Sequence, residues 1–287
     1  MVRVVSVALN PVDLAIGSGR FYGGHPPLPY VPGHEAVVER RDGSLAYVSG
    51  AGLGTARDGL LVELAAVPTM QMIPLPPGVR PALAVALGTA GLAGWLAVTR
   101  RADVGAGDVV VVLGATGSVG RIALQAARHR GASRVVAVGR DPERLAGLGR
   151  HADAGVPLGD RLGERVLEAT GVPPTVVIDT TWGPPLAAVL AVVAARARVV
   201  HLGASAGPST ELASAIIRGK QVDILGYSNF GVPREELLDA YQTLLELSMA
   251  GAIDLAVAEA PLSDAADAWR RAATGTEKMV VTIGTAR

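Results

Sequence analysis

The sequence predicts an α/β protein that joins a small β-rich region to a doubly wound parallel sheet. Up to about residue 80 the chain alternates short strands with turns, and from Asp108 it alternates strands with helices. A last strand, KMVVTIG, follows two C-terminal helical stretches. Repeated strand–helix units are typical of a parallel sheet covered by helices. We expect the last strand to return to the β-rich region.

The first region contains three predicted strands and two turn-rich stretches. Strand-like alternation or β-branched runs occur in VRVVSVAL, EAVVE and DGLLVELAAV. The Gly/Pro-rich loop is GSGRFYGGHPPLP, and LPPGVRP closes the region with Pro and Gly.

The second region continues with apolar strands, each followed by a helical pattern. The predicted strands are DVVVVLG, RVVAVGR, TVVIDTT, ARVVHLG and QVDILGYSN. The predicted helices are SVGRIALQAARHRG, DPERLAGLGR, PLAAVLAVVAAR, REELLDAYQTLLELSMAGAI and AADAWRRAAT.

The composition indicates a folded chain. Of 287 residues 49% are hydrophobic and 18% are charged, which allows a large core and argues against disorder. The formal net charge is zero, so the sequence shows no electrostatic footprint for nucleic acid. The chain contains no cysteine, which excludes disulfides and thiolate metal ligands.

No targeting segment or membrane span is predicted. The N-terminus MVRVVSVALNPVD alternates like a strand and lacks a signal-peptide cleavage pattern. The uncharged stretch 81–98 has the length of a membrane span, but it consists mostly of Ala and Gly and is interrupted by three glycines. We predict a buried helix there, and we expect a soluble cytoplasmic protein.

The strongest motif is a glycine-rich turn between a buried strand and a helix, VVLGATGSVGRIALQAA. Its residues are Gly114, Ala115, Thr116, Gly117, Ser118, Val119 and Gly120. Gly117 would let the backbone approach a pyrophosphate, Gly120 would let the helix pack against the strand, and the helix N-terminus would bind the anion. The alternative is a tight turn without a ligand; the strand–turn–helix context favours dinucleotide binding.

The end of the next strand favours NADP(H) over NAD(H). An acidic residue about 20 positions after the glycines would bind the ribose of NAD, but Gly139 stands there and Arg140 follows. A guanidinium binds phosphate in a bidentate manner, and Arg144 lies one helical turn later. The alternative is that Arg140 is a solvated residue at a strand end.

Taken together, these patterns resemble the medium-chain dehydrogenase/reductase superfamily, in particular its zinc-independent quinone oxidoreductase branch. Nearly the whole chain takes part in the resemblance, in family order. The similar stretches are ALNPVDLAIGSG, PYVPGHEAVV, GAGDVVVVLGATGSVGRIALQAA, VVIDTTWG, ARVVHLGASAG, ILGYSNF and KMVVTI.

The resemblance implies a GroES-like catalytic domain at 1–88, a Rossmann NADP-binding domain at 89–231 and a C-terminal return to the catalytic domain at 232–287. It also implies a homodimer, paired through the edge strand in DILGYSN. The family carries a further strand hairpin before VRVVSVALNP, and the segment after GHEAVVE is short. We therefore expect a shortened catalytic domain or a chain that lacks its true start.

The positions of the zinc ligands in related alcohol dehydrogenases fall on Asn10, His34 and Thr89. A neutral amide and a hydroxyl are poor zinc ligands, so no metal is expected. His34 is then a hydrogen-bonded remnant at a strand start, and Glu35 is buried and paired because an unpaired buried carboxylate is costly. The alternative is that both shape the site around the nicotinamide.

The remaining site residues are implied by the resemblance. Asn10 would line the catalytic pocket, and Tyr22, beside the aligned Phe21, would be a proton donor or else a packing tyrosine. The other implied cofactor-binding residues are Thr89, Asp179, Thr180, Leu202, Gly203, Ala204, Tyr227, Ser228, Asn229 and Lys278. Several of these follow strands, where ligands collect in open α/β sheets.

The predicted activity is NADPH-dependent hydride transfer to a quinone or an α,β-unsaturated carbonyl compound. Such acceptors are electrophilic without a metal, and the cofactor carries the chemistry. One alternative is a catalytically silent NADP(H)-binding sensor or partner module on the same fold. A zinc alcohol dehydrogenase is a third possibility, but it needs ligands that the sequence lacks.

Overall fold

The computed structural model describes residues 1–275 and 277–284. The chain divides into two compact units, one formed by Met1–Gly91 with the described part of Tyr241–Arg287, the other by Leu92–Ala240. The domain boundaries predicted after residues 88 and 231 stay predictions.

Thirteen strands occur in the described residues: β1 Val2–Ala8, β2 Glu35–Glu39, β3 Leu45–Ser49, β4 Leu64–Ala65, β5 Met72–Pro74, β6 Val109–Leu113, β7 Arg134–Gly139, β8 Ala154–Pro157, β9 Val176–Asp179, β10 Arg198–His201, β11 Asp223–Gly226, β12 Val257–Pro261 and β13 Lys278–Thr282.

Ten α-helices occur in the same ranges: α1 Pro11–Gly17, α2 Pro81–Ala86, α3 Leu92–Leu96, α4 Ser118–His129, α5 Pro142–Ala146, α6 Leu162–Thr170, α7 Gly183–Leu190, α8 Ser214–Lys220, α9 Arg234–Met249 and α10 Ala265–Thr274. Leu87–Gly91 and Ala97–Arg101 are π-helical. Short 3₁₀ helices lie at Thr69–Gln71, Gly149–His151, Asn229–Gly231 and Leu262–Asp264.

The first unit is built on a mixed sheet of seven strands among the described residues. Its order is β12-β13-β1-β2-β3-β5, and β4 pairs with β1. The C-terminal strand β13 runs antiparallel to β1, with Val281 opposite Val7. Both side chains are fully buried in the core, which explains why strands from the two ends of the chain stay together.

The predicted strand at 58–67 is mostly absent, since only Leu64 and Ala65 pair with β1. Before that point, the backbone N–H groups of Leu60 and Leu61 donate to the carbonyls of Gly33 and Pro32. A neighbouring loop therefore satisfies this backbone in place of a strand ladder, because every buried N–H group needs an acceptor.

The second unit is built on a parallel sheet of six strands within the described ranges, ordered β11-β10-β9-β6-β7-β8. All of its pairs are parallel, as the continuous apolar runs predict. The strand order reverses direction between β6 and β9, and ligands bind at the carboxyl ends of the strands beside such a point. The glycine-rich turn follows β6 directly.

The apolar helical stretch Pro81–Arg101 is the one helix in the described part of the chain long and apolar enough to cross a membrane. Of its most apolar window, 78% is buried inside the structure, so the prediction of a buried helix is confirmed. The stretch changes from α to π geometry at Leu87, and Gly88 there has φ −60° and ψ −111°. This irregularity positions the polar group described next.

Candidate active site

A cluster of polar side chains, all buried except the partly exposed Thr89, lies in the first unit. Its members, here called the buried polar cluster, are Asn10, Asp13, His34, Glu35, Tyr47, Thr89 and Lys278. The side chains of Asp13 and Glu35 are 0% exposed. Burying charge is costly unless it is paired and hydrogen-bonded, so each partner in the cluster matters.

The start of α1 supplies the first carboxylate. Pro11 opens the helix, where its missing N–H costs nothing. Asp13 stands in the first turn, and its Oδ2 accepts the N–H of Asn10 at 2.9 Å. Its Oδ1 accepts both the backbone N–H of His34 at 3.1 Å and the ring Nδ1 at 2.9 Å. Asp13 therefore orients the imidazole.

Glu35 is the centre of the cluster. Its Oε1 accepts from Asn10 Nδ2 at 2.6 Å. Its Oε2 accepts from Tyr47 Oη at 2.7 Å, from Thr89 N at 2.7 Å and from Thr89 Oγ1 at 2.9 Å. The prediction that Glu35 is buried and paired is confirmed.

The π-helical segment Leu87–Gly91 presents Thr89 to Glu35. A π-helical turn interrupts the regular i to i−4 ladder, and here the N–H of Thr89 donates to the Glu35 carboxylate instead. Gly88 precedes it, and a Cβ at that position would lie 2.5 Å from Tyr47 Oη and would also collide with Glu35 Oε2. Glycine is therefore required for the carboxylate to approach the helix.

Lys278 completes the charge balance from the start of β13. Its Nζ donates to Asn10 Oδ1 at 2.5 Å and lies 4.0 Å from Glu35 Oε1. Since lysine only donates and a carboxylate only accepts, these partners define the orientation of the Asn10 amide.

Burial and nearby charges shift the pKa values of three members of the cluster. Burial lowers the pKa of His34, but the charges of Asp13 and Glu35 and the Asp13 hydrogen bond outweigh it, so the net pKa is raised. Burial raises the pKa of Asp13, but its bonds to His34 and to backbone N–H groups leave it lowered. Burial lowers the pKa of Lys278, which the nearby carboxylates offset only in part. Asp13 and His34 thus favour each other's charged forms.

The glycine-rich turn is the main feature of the second unit. Gly114 has φ +78°, a conformation that disfavours side chains, and Gly120 would bring a Cβ to 2.7 Å from the Ala115 Cα. The helix α4 starts at Ser118, and its first N–H groups have no acceptor within the helix. This geometry fits a phosphate group. A Cβ added at Gly117 would lie 3.5 Å from the nearest protein atom, so packing within the protein does not require glycine at this position.

Two arginine side chains form hydrogen bonds with the backbone of the turn. Arg121 Nε and Arg144 Nη2 each donate to the Thr116 carbonyl at 3.2 Å. At the end of β7, a Cβ on Gly139 would lie 3.3 Å from Thr116 Cγ2, so the second strand end adjoins the turn. Arg140 follows it and is exposed. Of the predicted residues, Gly139 and Arg144 therefore adjoin the glycine turn, and Arg140 is the residue that follows Gly139.

The other predicted residues of this unit end neighbouring strands. Asp179 is fully buried and accepts from the N–H groups of Thr181 and Trp182 at 2.9 Å, and it also pairs with His201 at 3.0 Å. Thr180 donates to the Leu113 carbonyl at 2.9 Å. Leu202, Gly203 and Ala204 follow β10, and Tyr227, Ser228 and Asn229 follow β11.

Tyr22 stands apart from the buried polar cluster. Its side chain is 83% exposed, and its ring lies 4.5 Å from that of Phe21. The predicted role of Tyr22 as a proton donor stays a prediction. Of the other residues predicted for this unit, Asn10, Thr89 and Lys278 lie together in the cluster.

Sequence reasoning missed Asp13, Tyr47 and Tyr241. Tyr241 stacks on Tyr47 with ring centroids 4.5 Å apart and donates to the Ala84 carbonyl at 2.9 Å. Asp13 carried a usable signal, because an acidic residue three positions after Asn at a helix start resembles a capping box. No sequence pattern indicated the two tyrosines, since their partners are far away in sequence.

The residues at the zinc-ligand positions do not fit a zinc ion. Asn10 and Thr89 offer a neutral amide and a hydroxyl, and both are hydrogen-bonded to Glu35. Both ring nitrogens of His34 have partners, Asp13 and Thr89. Within residues 1–275 and 277–284 no group of three or more His, Cys, Asp or Glu side chains has metal-binding geometry.

Comparisons with known proteins agree with these features. The family model described as "Zinc-binding dehydrogenase" matches residues 118–247. The chain is 33% identical to the chloroplastic NADPH-dependent alkenal/one oxidoreductase of Arabidopsis thaliana, and 31% identical to the 2-methylene-furan-3-one reductase of Solanum lycopersicum. In each case the match covers 48% of this chain and 39% of the relative. The chain thus spans about two fifths of the length of these relatives.

A solved structure matches over nearly the whole chain. The quinone oxidoreductase of Thermus thermophilus, solved alone and with NADPH, is 28% identical, with a TM-score of 0.82 over 98% of this chain and 90% of that one. The predicted fold class, a GroES-like β-rich domain with a Rossmann domain, is confirmed. These comparisons support the resemblance of the chain to the medium-chain dehydrogenase/reductase superfamily.

Proposed function

We propose that this chain is an NADPH-dependent reductase that transfers hydride to a quinone or an α,β-unsaturated carbonyl compound without a metal ion. The observation that carries this proposal is the glycine turn with Gly139 beside it and the exposed Arg140 next in the chain. A phosphate-binding turn adjoined by a cation, in place of an acidic residue, favours a dinucleotide with a 2′-phosphate.

The cofactor would be held by the second unit. The first N–H groups of α4 would bind the pyrophosphate, and Arg140 and Arg144 would bind the 2′-phosphate. NADPH, when bound, supplies the hydride. The names of the two plant relatives and of the Thermus structure support NADPH and an enone or quinone acceptor. Thr89, Asp179, Thr180 and the residues after β10 and β11 stay predicted cofactor contacts.

Absence of a metal is proposed from the chemistry of the residues. An aldehyde or ketone benefits from a Lewis acid, whereas a quinone or enone is already electrophilic. Asn10 and Thr89 are poor zinc ligands, and His34 uses both ring nitrogens in hydrogen bonds. A metal-independent acceptor is consistent with this site.

The direct test is a turnover assay with purified protein. We expect NADPH oxidation, followed at the nicotinamide absorbance, with at least one member of a panel of quinones and enones. Activity should be unchanged after dialysis against a chelator. Tight NADPH binding with no turnover on any acceptor would instead favour the catalytically silent sensor, and loss of activity that added zinc restores would contradict the metal-free site.

A homodimer and a cytoplasmic location stay part of the proposal. The strand β11 forms one edge of the six-stranded sheet in the described residues, and pairing with a second copy would satisfy its open backbone groups. We expect sedimentation at micromolar concentration to give the mass of a dimer. A monomeric mass would contradict this pairing.

A further inference from the structure

The hydroxyl group of Thr89 lies between an imidazole and a carboxylate. Its Oγ1 is 2.8 Å from His34 Nε2 and 2.9 Å from Glu35 Oε2. A hydroxyl carries one proton and can donate it to only one of these neighbours. The position of that proton decides the charge of His34.

The surroundings of Glu35 indicate that Thr89 donates to the carboxylate. Besides the hydroxyl, Glu35 already faces the Tyr47 hydroxyl, the Thr89 N–H group and the Asn10 amide as donors. A set of donors on both oxygens suits an ionised carboxylate, which only accepts. The Thr89 proton therefore points to Glu35, and His34 Nε2 must donate to the Thr89 oxygen.

The other ring nitrogen of His34 must also carry a proton. Nδ1 lies 2.9 Å from Asp13 Oδ1, and this carboxylate also receives the backbone N–H groups of Asn10 and His34. Both nitrogens then donate, so His34 is an imidazolium. Asp13 and Glu35, together with Lys278, are the charged groups that face it.

Thr89 differs from the other members of the buried polar cluster in its exposure to solvent. Asn10, Asp13, His34, Glu35, Tyr47 and Lys278 are buried, whereas Thr89 is partly exposed. A buried imidazolium is costly to keep, and hydrogen bonds between neutral groups would hold the fold at lower cost. A cluster that stores a proton behind a partly exposed hydroxyl has the construction of a proton donor.

We propose that Thr89 is the catalytic proton donor of the reduction and that His34 acts through it as the proton store. This inference rests on the proposed function. Reduction of an enone or a quinone adds one hydride, supplied by NADPH, and leaves a negative charge on the acceptor. The Thr89 hydroxyl turns from Glu35 to the acceptor, and its O–H bond breaks as the proton passes to the acceptor. The His34 Nε2–H bond breaks as Thr89 regains a proton. His34 is left neutral and recovers its proton from water after product release.

The protonation of His34 can be measured without turnover. We expect ¹⁵N NMR of the cofactor-free protein at neutral pH to show one imidazole with both nitrogens protonated and with its N–H protons protected from exchange with solvent. The chain has five histidines, and replacing the other four one at a time assigns His34. A neutral His34 in the wild-type protein would overturn the inference, whatever the enzyme does with any acceptor.

Turnover of variants tests the route through Thr89. We expect Thr89→Val to lower kcat with an enone about 100-fold, the scale of general acid catalysis, and Thr89→Ser to restore most of it. A phenazinium cation accepts hydride without a proton, so Thr89→Val should lower its reduction by NADPH about 10-fold less than it lowers reduction of the enone. The control Thr99→Val removes a hydroxyl that donates to the helix carbonyl of Trp95 at 2.9 Å, and it should leave both rates unchanged.

The outcomes separate this inference from the proposed function. Equal losses with both acceptors, or unchanged enone reduction in Thr89→Val, would overturn the proton path while leaving the reductase intact. Wild-type protein that binds NADPH but reduces neither acceptor would overturn the proposed function, and the donor role with it. If Tyr22→Phe abolishes enone reduction while Thr89→Val does not, the exposed tyrosine is the donor.

Discussion

Arg140→Ala is expected to weaken NADPH binding about 10- to 100-fold while changing NADH binding little. A hydrogen bond to a charged group contributes about 1.5 to 3 kcal/mol, and 1.4 kcal/mol corresponds to a factor of ten in affinity. Arg140 is exposed and directly follows Gly139, whose backbone adjoins Thr116 of the glycine turn. Titration of the purified variant with each cofactor, followed by nicotinamide fluorescence, gives the two dissociation constants.

A matched arginine variant controls for the loss of positive charge. Arg218 is exposed on α8, and Arg218→Ala removes the same group away from the glycine turn. It should leave the preference for NADPH over NADH unchanged. The difference in NADPH affinity between the wild type and Arg140→Ala should also become smaller at high salt, because ion pairs at exposed sites are screened. If Arg140→Ala weakens the binding of NADPH and NADH equally, the assignment of the 2′-phosphate site is wrong.

Glu35→Ala is expected to lower the free energy of unfolding by about 3–5 kcal/mol, the usual cost of removing one partner from a buried ion pair. The change leaves Lys278 buried without its carboxylate and removes the acceptor of Tyr47, Thr89 and Asn10. Urea denaturation monitored by circular dichroism measures the difference. Glu35→Gln keeps the volume and should cost less.

Glu39 provides the control in the same strand. Its carboxylate lies 3.4 Å from Arg3, and its side chain is 36% exposed. A surface ion pair contributes about 0–1 kcal/mol, so Glu39→Ala should change the stability far less than Glu35→Ala. Similar losses in the two variants would mean that strand propensity, rather than the buried polar cluster, explains the effect.

Local patterns predicted the glycine turn of the second unit and the elements on either side of it. The glycine turn, the strand before it and the helix after it are contiguous in sequence, so hydrophobic periodicity and glycine spacing carry the whole motif. The strand predicted at 58–67 failed for the opposite reason. Its apolar residues suit a strand, but the carbonyls of Pro32 and Gly33 take its hydrogen bonds, and no local pattern contains that competition.

The sequence by itself determined the fold class, the glycine-rich turn, the arginine that follows the next strand and the absence of good zinc ligands. Each depends on the identity or spacing of nearby residues. Only the tertiary structure decided that Asp13, Glu35, Thr89 and Lys278 surround His34. The contacts within this cluster join residues up to 268 positions apart, on strands near both ends of the chain. The charge of His34 follows from which donors and acceptors meet, and that depends on folding.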